Sequence, residues 1–233
     1  MKKNIVAIIP ARGQSKRLPR KNILEFCGKP LIAHSIEAAN KVEQLDKIIV
    51  STEDEEIALI SKNYDCEVIN RSIFLAQDDS SLVDVLLQIF ADLNQELDYV
   101  VDVFVLLQPT SPLRTADDIS NALDLYLNNE CDSVISVLES PHPPYWAMKQ
   151  EDEYLTPLLG LENYRKRSQD LKQTYFPNGA IFIISPKLLE QEREFFTQRT
   201  LPHIMPSHRS IDIDSKSDFM LAEFYSKLDI KIQ

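Results

Sequence analysis

The residues best suited to chemistry fall in four short segments. The first is PARGQSKRLPRKN, residues 10–22, where Arg12, Lys16, Arg17, Arg20 and Lys21 place five cations within ten residues. A loop of this kind leaving a strand can turn backbone N–H groups, the planar fork of arginine and the point charge of lysine toward phosphates. The same residues can also form a solvated basic turn. Two familiar phosphate loops are excluded. The glycines stand at 13, 28, 160 and 179, so there is no G-x-G-x-x-G, and Gly28-Lys29 is followed by Pro30 where a P-loop needs Ser or Thr.

The second segment, LLQPTSPLR (residues 106–114), ends an apolar run in a polar loop stiffened by two prolines. Gln108, Thr110 and Ser111 held in fixed directions can read a base or a sugar. The alternative is a rigid turn ahead of a helix, for which Thr115 and Asp117 suit the N-terminus. The third segment is Ser210-Ile211-Asp212-Ile213-Asp214. If extended, its period of two sends both carboxylates to one side and both isoleucines to the other. That is a ligand pair for magnesium, which uses one or two carboxylates and completes its shell with water and phosphate. The alternative is a helix start, with Ser215 and Asp218 forming a capping box. The fourth is Tyr175-Phe176-Pro177-Asn178-Gly179, in which Asn-Gly marks a tight turn or presents an amide to a ligand.

The elements that must position these segments alternate. Runs rich in Ile and Val at residues 5–9, 47–51, 66–70, 100–107, 133–137 and 180–184 predict buried strands. Helical periodicity at 30–42, 55–63, 81–94, 116–128, 186–193 and 216–228 predicts helices between them. The expected fold is α/β, a mostly parallel sheet with helices on both faces, in which ligands bind beyond the carboxyl ends of the strands. The whole chain, 1–233, reads as one domain. Residues 139–176 break the alternation with Pro141, Pro143, Pro144 and Pro157, an exposed-looking Tyr145-Trp146 pair and a mixed charge run. Their length marks a lid, a functional insertion or a dimerisation arm, and the arm is the expectation carried forward.

Composition narrows the partners. The chain is 44% apolar and 26% charged with a net charge of −11. Repulsion at that charge disfavours nucleic acid and anionic membrane surfaces, so an anionic small substrate needs a local positive pocket. No apolar stretch reaches the roughly 20 residues of a membrane span. The five apolar residues before Pro10 are too few for a signal peptide, and the expected location is the cytoplasm. Cys27, Cys66 and Cys131 lack metal-site spacing and read as buried free thiols.

Taken in order, the four segments resemble the acylneuraminate cytidylyltransferases, also called CMP-nonulosonate or CMP-sialic acid synthetases, from Ile5 to about Phe224. That family has a basic loop like Ala11 to Asn22, a Leu-Gln-Pro-Thr-Ser-Pro-x-Arg segment like Leu107 to Arg114, Pro-Asn-Gly like Pro177 to Gly179, and Asp-Ile-Asp like Asp212 to Asp214. The resemblance implies a Rossmann-like domain of the nucleotide-diphospho-sugar transferase type. It also implies transfer of CMP from CTP to the anomeric hydroxyl of a nonulosonic acid, with pyrophosphate released and Mg2+ as cofactor.

Carried over by position, Arg12, Lys16 and Lys21 would hold the triphosphate and, with Asp212, make up the catalytic set. Ala11, Asn22, Arg71, Ser80, Ser81 and Asn178 would line the nucleotide. Gln108, Thr110, Ser111 and Arg167 would face the acceptor, and Asp212 and Asp214 would hold the metal. The proline-rich region matches a homodimerisation arm that lends residues to the partner's acceptor pocket. The chain departs from the family at Ser168, where Arg is frequent, at Lys172, where proline is common, and at Trp146, near where some members present a sugar-binding lysine. Two rival readings are a synthetase for the eight-carbon sugar KDO, whose loop usually reads Ser-Thr-Arg-Leu-Pro-Gly-Lys-Pro, and a nucleotide-binding module that has lost catalysis. The latter is expected to lack a carboxylate or the loop cations, and this chain has both.

Overall fold

Side chains of a strand alternate between two faces, so an unbroken apolar run is stable as a strand only where both faces are covered. The computed structural model, which describes residues 2–77, 81–96 and 99–228 (the side chain of residue 96 aside), shows this arrangement. In chain order the elements begin with β1 (Ile5–Pro10), the short ribbon β2 (Glu25–Phe26) and β3 (Lys29–Pro30), and α1 (Leu31–Asn40). Then come β4 (Lys47–Thr52), α2 (Glu55–Ser61), β5 (Glu67–Asn70), α3 (Leu82–Glu96), β6 (Val103–Leu106) and α4 (Ala116–Asn128). The second half contains β7 (Ser133–Glu139), β8 (Met148–Glu151), β9 (Tyr154–Pro157), α5 (Leu161–Tyr164), β10 (Tyr175–Ile184), α6 (Pro186–Glu192), β11 (Thr200–Ile204) and α7 (Lys216–Leu228).

Seven strands form one sheet in the order β11-β7-β10-β6-β1-β4-β5, and β10 alone runs antiparallel to its neighbours. At its centre Ile8 stands beside Ile49 on one side and Leu106 on the other. Ile5, Ala7 and Ile9 of β1 pack with Ile32 and Ile36 of α1, Ile57 of α2 and Ile119 and Leu123 of α4. Val6 and Ile8 face the opposite layer, with Leu86, Ile89 and Leu93 of α3 and Leu189 of α6. The expected two-faced architecture is therefore present.

The short strands β2, β3, β8 and β9 lie outside the expected runs and β6 is shorter than expected, while in the main sheet β11 and β10 depart most from the sequence-based expectation. β11 was not anticipated, because Pro202 and His203 interrupt its apolar pattern. It lies at the sheet edge, where a missing N–H is tolerated. β10 starts five residues earlier than expected and its pairing with β7 shifts register between Pro177 and Phe182. Asn178-Gly179 is thus a bulge within a strand rather than a turn between elements, and Gly179 takes the positive φ of 75° that favours glycine.

Of residues 139–176, Glu139 ends β7 and Tyr175 and Phe176 open β10, so residues 140–174 leave the sheet as a structured excursion that includes the β8–β9 hairpin and α5. Tyr145 and Trp146 are half-buried rather than exposed, and the Trp146 indole Nε1 donates to the Lys166 carbonyl at 3.1 Å. Tyr154, Leu155, Leu158 and Leu161 are exposed. The three cysteines are free and half-buried, and burial pushes the Cys66 thiol up to about 11.

Candidate active site

The basic loop follows β1, Arg71 follows β5, and Gln108 follows β6, so three parallel strands deliver their functional loops to the same carboxyl edge. There they enclose a cavity of about 560 Å³. Arg12, Lys16, Arg17, Lys21 and Arg71 supply its cations, and Asp212 and Asp214 its carboxylates. In a chain of net charge −11, this cavity concentrates positive charge where an anionic ligand would enter. Asn22, Gln108 and Thr110 add polar groups, while Pro10, Leu75, Leu82 and Val85 give apolar walls.

Local bonds explain how the loop holds its shape. The Asn22 amide donates to the Arg12 carbonyl at 2.9 Å, folding the loop back on itself. Arg20 adopts a left-handed backbone and its guanidinium grips the Asp54 carboxylate and, at 2.5 Å, Glu56. The Gly13 N–H donates to Glu53 at 2.7 Å, and a Cβ at Gly13 would sit 2.3 Å from Asp54 Oδ2. Gly13 is therefore a close-approach residue, and Arg20 a fastener of the loop to the start of α2. Arg71 is buried, donating to the Ser51 carbonyl at 2.7 Å. Burial and the nearby Arg12 pull its pKa below the ordinary arginine range.

The acidic segment lies opposite. Residues 211–214 form no sheet ladder, yet the expected alternation holds. Ile211 and Ile213 pack into a small core with Leu18 of the basic loop, Phe26, Leu31, Leu113 and Phe219 of α7. Asp212 and Asp214 are left on the cavity side. Apolar burial, rather than strand pairing, sets which way the carboxylates face. The capping alternative holds as well: Ser215 and Asp218 exchange hydrogen bonds at the start of α7, which leaves Asp214 free for the cavity. The Lys21 ammonium reaches Asp214 Oδ1 at 2.9 Å, and Arg17 reaches Oδ2 at 2.6 Å. These partners hold the Asp214 carboxyl below the usual aspartate range.

Asp212 differs. Its carboxylate opens to the cavity and the residue is exposed, yet the flanking walls still desolvate it; this desolvation, together with the charge of Asp214, raises its pKa against the Thr110 hydroxyl, which lowers it. The charge of Lys21 also acts on Asp212 and lowers its pKa in part. Two carboxylates facing an open cavity are a donor set that fits a magnesium ion drawing its remaining ligands from water and phosphate.

The structure sorts the expected residues. Arg12, Lys16, Lys21, Asn22, Arg71, Gln108, Thr110, Asp212 and Asp214 line the cavity. Ala11 is fully buried behind it, and its N–H donates to the Ser51 carbonyl. Ser111 is buried in the turn beneath Gln108. Ser81 is exposed and its hydroxyl accepts from Val83 N at the start of α3. Ser80 lies outside the described residues. Arg167 is on the exposed arm, bonded to Asp170 at 2.9 Å.

Asn178 is not brought to the cavity. Its oxygen accepts from the Ser136 hydroxyl at 2.6 Å and from Ala180 N, and its nitrogen donates to Ser210 at 2.9 Å. The bulge consumes both ends of the amide.

Sequence reasoning left four features unread. Arg17 pairs with an acid distant in sequence, and Leu82 and Val85 of α3 wall the cavity; no local pattern marks either. Gly179 approaches Gln108 so closely that a Cβ would lie 2.7 Å from its Oε1. Arg114, which closes the Gln-Pro-Thr-Ser motif, is buried and donates to the Ala180 carbonyl at 2.7 Å and the Ser35 hydroxyl at 2.6 Å. It ties the motif loop to β10 and α1. Burial pulls its pKa down to about 9, which leaves it charged at neutral pH.

Comparison with known proteins agrees with this geometry. Residues 6–228 match the family model described as Cytidylyltransferase. An N-acylneuraminate cytidylyltransferase of Streptococcus agalactiae serotype V is 38% identical over 92% of this chain, but the match spans only 51% of that relative, so the chain covers about half its length. A CMP-N,N'-diacetyllegionaminic acid synthase of Legionella pneumophila is 35% identical over 97% of both chains. Among solved structures, a CMP:2-keto-3-deoxy-manno-octonic acid synthetase complexed with CTP superposes with a TM-score of 0.73 at 16% identity, covering 98% of this chain and all of that one, a likeness of fold. A basic loop and an acidic pair facing one cavity, on a sheet of this order and in a chain matched along nearly its full length, make this chain a member of the cytidylyltransferase family.

Proposed function

We propose that the chain transfers CMP from CTP to the anomeric hydroxyl of a nonulosonic acid of the sialic, legionaminic or pseudaminic type, releasing pyrophosphate. The observation that carries this reading is the shared cavity, in which five cations face two carboxylates. The α-phosphorus of CTP is shielded by negative oxygens, so a weak hydroxyl nucleophile needs charge neutralisation and alignment above all. Arg12, Lys16 and Lys21 neutralise the triphosphate, and Asn22 keeps the loop folded around it. Arg71 and the apolar wall from α3 hold the nucleoside, while Gln108 and Thr110 orient the acceptor. Asp212 and Asp214 would hold magnesium, which supplies charge stabilisation of the leaving pyrophosphate.

The exposed apolar residues of the arm support a homodimer in which Arg167 reaches the partner's acceptor pocket. No helix among the described residues is long and apolar enough to cross a membrane; we place the enzyme in the cytoplasm because its proposed substrates are soluble. The test is pyrophosphate release from CTP and magnesium with N-acetylneuraminic, legionaminic and pseudaminic acids, with KDO as the rival acceptor and UTP and ATP as controls. Turnover of one nonulosonate is expected. Turnover of KDO alone, or of none, overturns the proposal.

A further inference from the structure

The acidic segment presents a mechanical problem. Two carboxylates repel each other on a stretch that no sheet ladder holds, yet metal ligands require an orientation fixed by their supporting groups. One backbone bond ties the segment across the cavity floor, from Ile213 N to the Thr110 carbonyl at 2.8 Å. The two residues that lead into it, Arg209 and Ser210, are each fastened by side chains from elsewhere in the fold.

Arg209 makes a two-pronged pair with Asp118, Nε to Oδ2 at 3.1 Å and Nη2 to Oδ1 at 2.7 Å. Asp118 is buried in the first turn of α4, where its Oδ2 also accepts from the Thr115 N–H at 2.9 Å and from the Thr115 hydroxyl at 2.8 Å. The half-buried His203 ring of β11 stands 3.9 Å from Oδ1. α4 begins directly after the Gln108–Arg114 loop, so Asp118 is rigidly linked to the wall that carries Gln108 and Thr110. Ser210 is held by Asn178, whose amide is locked in turn by Ser136 of β7.

We infer that Asp118 and Arg209 are positioning residues that set Asp212 and Asp214 against the Gln108–Thr110 wall, with Asn178 and Ser210 as a second fastener. The inference rests on the proposed reading of the acidic pair as magnesium ligands. Asp118 then has two functions in one carboxylate: it caps α4, and through Arg209 it carries the position of that helix to the metal-binding segment. The planar fork of arginine is what makes the link directional, and a lysine could restore the charge but only one of the two bonds.

The experiment uses the full chain with Arg209→Met, Arg209→Lys and Ser210→Ala. Hydrogen exchange reads the fastening directly: the Ile213 amide in Arg209→Met is expected to exchange about tenfold faster than in the parent, while the β1 and β6 amides keep their rates. The magnesium concentration giving half-maximal pyrophosphate release is expected to rise roughly tenfold in Arg209→Met, with partial recovery in Arg209→Lys and a smaller rise in Ser210→Ala. Unchanged exchange at Ile213, or acceleration spread equally through the central strands, overturns the inference. If the parent protein releases no pyrophosphate with any acceptor, the functional reading fails, and the exchange data still decide whether Asp118 and Arg209 hold the segment.

Discussion

The Lys21 ammonium sits between the two walls of the cavity, 2.7 Å from the Ile213 carbonyl and 2.9 Å from Asp214 Oδ1. A cation from the basic loop is therefore bound to the acidic segment by both backbone and side chain, and it is buried. Lys21 joins two motifs that lie almost the whole chain apart.

On the proposed function, this pairing gives Lys21 two tasks, charge neutralisation and closure of the cavity. Lys21→Met is expected to lower kcat/KM for CTP by roughly 100-fold or more, the usual scale for removing one group that stabilises developing charge. Lys21→Arg should recover little, because the longer planar fork does not fit the spot between Ile213 and Asp214. Steady-state pyrophosphate release checks both variants, and near-parental activity in Lys21→Met would remove the lysine from the catalytic set.

The two carboxylates should respond to substitution with opposite signs in the metal-free protein. The folded-state pKa of Asp214 is depressed by Lys21 and Arg17, so its contribution to stability is present above the unfolded aspartate pKa of about 4 and is lost as pH falls. The pKa of Asp212 is raised by desolvation and by Asp214, so ionising it opposes folding, and that penalty appears as pH climbs through the raised pKa. At pH 7, without magnesium, Asp214→Asn is expected to lower Tm and Asp212→Asn to raise it, while both abolish most turnover. Thermal melts at pH 7 with chelator test the signs. Equal loss of folding and activity in both variants would reduce the pair to a helix cap.

Gly179 is the contact point between the β10 bulge and Gln108, which the proposed function assigns to the acceptor. Gly179→Ala places a methyl 2.7 Å from Gln108 Oε1 on a backbone with φ of 75°. The left-handed backbone alone costs a non-glycine residue roughly 1–2 kcal/mol, and Gln108 must move. The expected result is a lower urea midpoint and a KM for the acceptor that rises more than the KM for CTP. Equal rises in the two KM values would place Gln108 outside the acceptor site.

Much of this was legible in the linear chain. The buried strands announced themselves because β1, β4 and β6 are apolar on both faces, and α4 because its period and its Thr115 cap are local signals. β11 was not, because an edge strand with Pro202 and His203 carries no such pattern. Among site residues, the loop cations and the Asp212–Asp214 pair could be named from type and spacing. Asn178 could not be sorted from a ligand contact, since its amide is consumed by Ser136 and Ser210, which are remote in sequence.

The basic loop, the proline-stiffened loop and the alternation of Ile211 and Ile213 with Asp212 and Asp214 are properties of neighbouring residues, and the sequence by itself determined them. Which cations are structural and which face the cavity was decided only by tertiary packing: Arg20 turns back to Asp54, and Arg17 and Lys21 turn across to Asp214. The physical reason is that charge and hydrogen bonding act through space. A side chain's partner is set by the fold that burial of the two core layers stabilises, and no window along the chain contains both members of such a pair.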